Sequence, residues 1–99
     1  MSLIIINGGE EFLKERAALE EARSSLSDYV YKYDYTEVSK YEEDMQMSTV
    51  FGGRRAFIVF NVEKIPLLPD DNDVLIVVSA KKDLEDPRAK RIKSFPKLK

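Results

Sequence analysis

Apolar residues in this chain gather into three short, unbroken runs, at residues 3–6, 56–60 and 74–78. Runs of four to six aliphatic or aromatic residues bounded by turn signals predict strands buried on both faces. The first, Leu3-Ile4-Ile5-Ile6, is stopped by Asn7-Gly8-Gly9. The third strand of the chain is predicted over Arg55–Phe60 and the fourth over Val74–Val78. Residues 29–35 behave differently. Tyr29, Tyr31, Tyr33 and Tyr35 alternate strictly with Val30, Lys32 and Asp34, which predicts a half-exposed strand at a sheet edge.

Between the strands the spacing becomes helical. From Glu10 to about Leu26, Phe12, Leu19, Ala22 and Leu26 are expected to share a buried face. Glu10 and Glu11 suit the first turn, where the helix dipole favours negative charge. A second helix is predicted over Thr36–Gln46, with Val38, Tyr41 and Met45 inward and Asp34 and Glu37 spaced as an acidic capping box. Pro66, Pro69 and Asp70-Asp71-Asn72 mark a loop. Pro87 is placed to open a last helix that Pro96 would end. The order β-α-β-α-β-loop-β-α predicts one α/β domain over residues 1–99. Its sheet is expected to be mostly parallel, with helices on both faces, as in nucleotide-binding folds.

Ninety-nine residues suffice for a single core, and 43% hydrophobic against 34% charged residues is ordinary for a globular chain. No apolar run approaches the ~20 residues of a membrane span, and no secretory signal is recognisable, so a cytoplasmic protein is expected. With neither cysteine nor histidine, disulfides, Cys/His zinc sites and Ser-His or Cys-His catalytic units are excluded. A carboxylate-only Mg²⁺ site stays open in principle; no metal or cofactor is expected. The net charge of −2 hides an acidic stretch at residues 10–45 and a basic one at 81–99. The basic stretch reads as a solvated helix face. Weak DNA contact by Lys90, Arg91, Lys93, Lys97 and Lys99 is the alternative. The tyrosine strand could suggest base stacking, but its acidic neighbours Asp28, Asp34 and Glu37 favour packing under a helix.

In a nucleotide-type fold the first strand-to-helix turn cradles phosphate on backbone amides. Here that turn reads Asn7-Gly8-Gly9-Glu10-Glu11, without the Lys and Ser/Thr of a P-loop. Two carboxylates would repel a polyphosphate at a cost of kilocalories. At the end of the third strand stands Asn61, where an ATPase wants an Asp to support its metal. Two requirements fail together, so the phosphate site is degenerate and the domain is expected not to be an enzyme.

Gln46-Met47-Ser48-Thr49-Val50-Phe51, followed by Gly52-Gly53, is an odd surface turn. Two adjacent apolar side chains behind a Gln and a Met suit either core packing or a peptide that docks into a partner's pockets. Taken in order, three features resemble the N-terminal domain of the delta subunit of the bacterial DNA polymerase III clamp loader. They are Gly8 or Gly9 through Phe12-Leu13; Phe51-Gly52-Gly53-Arg54-Arg55 leading into an apolar strand; and Asp86-Pro87-Arg88-Ala89-Lys90 expected to open a helix. The resemblance implies an AAA+-like fold that has lost its phosphate site. It also implies a role in DNA replication: binding and helping to open the sliding clamp. The clamp-binding residues carried over are Gln46, Met47, Ser48, Val50 and Phe51, with Val50 standing where the family usually has Leu. Family members are about three times longer and meet other loader subunits through regions not found here, so residues 1–99 are expected to be an N-terminal piece. Two other readings are a minimal nucleotide-binding enzyme with a degenerate phosphate loop, and a scaffold for a partner other than a clamp.

Overall fold

The computed structural model describes residues 2–47 and 52–95. Five strands, β1 (Ser2–Gly8), β2 (Tyr29–Asp34), β3 (Arg55–Val62), β4 (Val74–Ser79) and β5 (Ala89–Phe95), form one sheet. Two helices, α1 (Glu11–Ser24) and α2 (Val38–Gln46), and a 3-10 turn at Tyr35–Glu37 complete the α/β fold. The strand order is β2-β3-β4-β1-β5 and every neighbouring pair is parallel. The strands that carry the apolar runs, β3, β4 and β1, are interior, while the alternating tyrosine strand β2 lies at an edge, as its pattern predicts. Among the described residues no helix is long and apolar enough to cross a membrane.

The pleat divides the core in two. Even-numbered Ile4, Ile6, Ala56, Ile58, Val74, Ile76 and Val78 pack with Ala17, Ala18 and Ala22 of α1. Odd-numbered Leu3, Ile5, Phe57, Val59, Leu75 and Val77 pack with Tyr33 and Tyr41. Val62 breaks this parity and joins the odd-numbered side. The cause is a register irregularity between Val59 and Val62, where Asn61 adopts a left-handed φ of 60°. One extra residue in a strand reverses the facing of all that follow.

Two sequence expectations are corrected. The buried stripe of α1 is Lys14, Ala17, Ala18, Glu21 and Ala22, whereas Phe12 and Leu26 are 65% and 83% exposed. Of the predicted face only Ala22 is buried, with Leu19 partly so. Close approach of a helix to a sheet needs small side chains, so alanines won over larger apolar residues. Residues 87–95 form a turn and β5 rather than a helix. Pairing with β1, from Leu3↔Ala89 to Gly8↔Phe95, overrides the helical propensity of the Lys, Arg and Ala residues there.

The capping box expected of the second helix is present, but on the short turn ahead of α2. Asp34 and Glu37 form a reciprocal capping box at the 3-10 turn that precedes it. Tyr41 is fully buried and donates through its hydroxyl to the Leu67 carbonyl at 2.6 Å. Tyr33 donates to Asp44 Oδ2 at 2.7 Å, tying the edge strand to α2. Burial first, and then the acidic partner, raises the Tyr33 hydroxyl pKa above its ordinary value. Burial likewise raises that of Tyr41.

Candidate functional site

Of the predicted docking peptide, Gln46 is the last residue of α2 and is exposed; Met47 is 65% exposed. Ser48, Thr49, Val50 and Phe51 lie outside the described residues, as do Lys97 and Lys99 of the basic stretch. What is defined is the frame on either side of residues 48–51.

On the approach side, Arg55 acts as a clasp. Its Nη1 donates to the carbonyls of Asp44 (3.0 Å) and Met47 (2.6 Å), and its Nη2 to that of Met45 (3.1 Å). The last carbonyls of a helix have no partner within it, and a guanidinium fork satisfies several at once. Arg55 is buried, so its charge needs a counter-ion. Asp73, also buried, accepts from Arg55 Nη2 at 2.8 Å, from Nε at 3.2 Å and, through its other oxygen, from the backbone N–H at 3.0 Å. The guanidinium carbon also lies 5.0 Å from the centre of the Phe57 ring, a favourable cation–π distance. The first residue of β3 thus fixes the place where α2 stops.

On the far side, Gly52 and Gly53 have positive φ of 71° and 101°. Asp28 then accepts from the Arg54 N–H at 2.9 Å, while its own N–H donates to the Arg54 carbonyl at 2.8 Å. Asn72 Nδ2 donates to the Gly53 carbonyl at 3.2 Å. Sequence reading missed Arg55, Asp73, Asp28 and Asn72 as anchors. The available signal was an Arg opening an otherwise apolar strand, with an Asp just before the next one.

The turn after β1 is closely packed. Gly8 and Gly9 have φ of 66° and 73°. A Cβ on Gly8 would collide with the Phe95 carbonyl oxygen, and one on Gly9 would stand 2.5 Å from Phe95 Cβ. The glycines therefore make room for β5. Asn7 is bound at both ends of its amide, donating to the Leu84 carbonyl and accepting from the Leu84 N–H, each at 2.9 Å. Lys14, buried one turn into α1, donates to the carbonyls of Ser79 (3.0 Å) and Ala80 (3.5 Å).

Ligands of parallel α/β sheets bind beyond the carboxyl ends of the strands. There, a cleft of about 330 Å³ is lined by Glu11, Lys14, Glu15, Asp34, Phe60, Asn61 and Val78. Three carboxylates in its wall oppose a polyphosphate. Asn61 is occupied: its Nδ2 donates to Asp34 Oδ1 at 2.7 Å, and an Asn is among the residues that best tolerate its left-handed φ. Hydrogen bonds from the Thr36 N–H, Asn61 and the Thr36 hydroxyl lower the Asp34 pKa below its ordinary value. Among the described residues no group of three or more carboxylates is arranged to hold a metal ion. Compared with protein families, curated proteins and solved structures, the chain finds no match.

Proposed function

We propose that this domain is a non-catalytic interaction module that binds a DNA sliding clamp through residues 46–51, as part of a replication clamp loader. On this reading its fold is of the AAA+/P-loop type, with helices on both faces of the sheet and a disused phosphate turn. The all-parallel sheet supports that assignment, as does the placing of the α1 alanines and of Tyr41 in opposite core clusters.

The observation that carries the proposal is the frame around the peptide. Arg55 pins its start and Asp28 with Asn72 pins its end, while Gln46 and Met47 remain exposed. A short apolar segment held at both ends loses less conformational freedom on docking than a free one, which favours affinity. The acidic cleft and the Phe95-filled turn weigh against the nucleotide-binding alternative.

The test is to titrate a bacterial sliding clamp with the wild-type domain and with Phe51→Ala by isothermal calorimetry. Loss of a central aromatic anchor should weaken binding by ~2–4 kcal/mol while the circular dichroism spectrum is retained. Equal affinities, or no binding by the wild type, would remove the clamp reading. Saturable binding of ATP with Mg²⁺ would favour the nucleotide alternative.

A further inference from the structure

We infer that the amino-end side of the sheet carries a small binding site for a phosphate-type oxyanion, next to the frame of the docking peptide, whose backbone anchor Arg54 also lines the cleft. A cleft of about 170 Å³ lies there, lined by Arg54, Lys90 and Arg91 with Ser24, Ser25 and Glu21. Its floor is Ile4 and Val74, the amino ends of β1 and β4. At ~30 Å³ per water-sized group, it has room for about five, enough for a tetrahedral oxyanion.

The decisive feature is Arg54. Its Nε is buried and has no hydrogen-bond partner among the described residues. Buried polar atoms are almost always paired, and an unpaired guanidinium nitrogen is costly, so a turn of the Arg54 side chain that brings the nitrogen onto an acceptor in the cleft would relieve it. Two further cations line the same cleft, and Ser24 adds a hydroxyl, while that of Ser25 is held by the Ala22 carbonyl.

Two features oppose an anion, and both are already compensated. The buried Glu21 carboxylate is bound by Lys93 Nζ at 2.8 Å, which leaves Arg91, at 3.4 Å and half exposed, free to turn toward a ligand. The negative end of α1 also faces this region, but three of its last carbonyls are engaged. Those of Glu21 and Arg23 accept from the N–H groups of Ser25 and Leu26, and that of Ala22 accepts from the Ser25 hydroxyl. The residual field is positive, with Arg54 and Lys90 uncancelled by any carboxylate in the lining. A doubly charged oxyanion with several acceptors matches this set.

The experiment is an NMR titration of the ¹⁵N-labelled domain with inorganic phosphate at constant ionic strength, with chloride as the control. Saturable shifts should centre on Arg54, Arg91, Ser24 and Ser25, and phosphate should raise the thermal midpoint. Arg54→Gln should weaken binding about tenfold or more, since charge-assisted bonds are lost. Arg91→Gln makes the same test should the first variant fold poorly, and Lys81→Gln, outside the cleft, should change nothing. Glycerol 3-phosphate in a parallel titration separates an esterified ligand, bound more tightly, from the free ion. Linear shifts, equal shifts with chloride, or unaltered affinity in both Arg variants would overturn the site.

Discussion

Replacing Arg55 by Leu removes every bond that closes α2 onto β3. The variant leaves the Asp73 carboxylate buried, with only the backbone N–H of residue 55 to bind it. Breaking one partner of a buried ion pair costs ~3–5 kcal/mol. The carbonyls of Asp44, Met45 and Met47 also lose their donor, but they are only part-buried and water can substitute, adding ~1–2 kcal/mol in all. Against the ~5–15 kcal/mol typical of a domain this size, Arg55→Leu should remove about a quarter of the total or more. Asp73→Leu should be comparably harmful, because it strands the guanidinium. The double variant discriminates: with no unpaired charge it should be markedly more stable than the two single losses added together, as apolar replacements of buried pairs generally are. Urea unfolding of the four proteins at neutral pH, followed by far-ultraviolet circular dichroism, supplies the cycle. A single variant within ~1 kcal/mol of wild type, or strictly additive losses, would refute the clasp.

Two further outcomes follow from backbone and side-chain environment. Gly8→Ala should destabilise far more than Gly52→Ala, although both sites have φ near 70°; at Gly8 the added methyl meets backbone, whereas at Gly52 it meets no atom of the described residues within 4 Å beyond its chain neighbours. Equal urea midpoints would show that left-handed strain alone sets the cost. Tyr33 and Tyr41 have hydroxyl pKa values raised above 10 in the folded state. Their neutral forms thus favour the fold, and stability should fall as pH climbs past 10, by up to ~1.4 kcal/mol per pH unit for each. Tyr41→Phe should flatten that decline, and an unchanged slope would show that Tyr41 does not contribute.

Much of this architecture is legible in local sequence, because the relevant forces are local. The apolar runs give β1, β3 and β4, strict alternation gives an edge position for β2, and the Asp34–Glu37 spacing gives the capping box. β5 is not legible. Its residues have mixed polarity, and its strand form comes from pairing with β1 far along the chain. The α1 stripe was misjudged because side-chain size, set by the distance from helix to sheet, outweighed apolarity. At the candidate site the apolar peptide stands out in the sequence, whereas its fastening by Arg55 and Asp73 depends on three separate segments meeting in space.

The place of β1 has a consequence for biosynthesis. Ile4 pairs with Ile76 on one side, and its strand is flanked by β5 on the other. At translation rates of ~5–20 residues per second, the aliphatic run made first waits roughly 4–14 s for β4 and roughly 4–17 s for β5. During that interval the nascent segment is a target for chaperones, and the final collapse has to close long loops late, which predicts slow refolding in vitro as well.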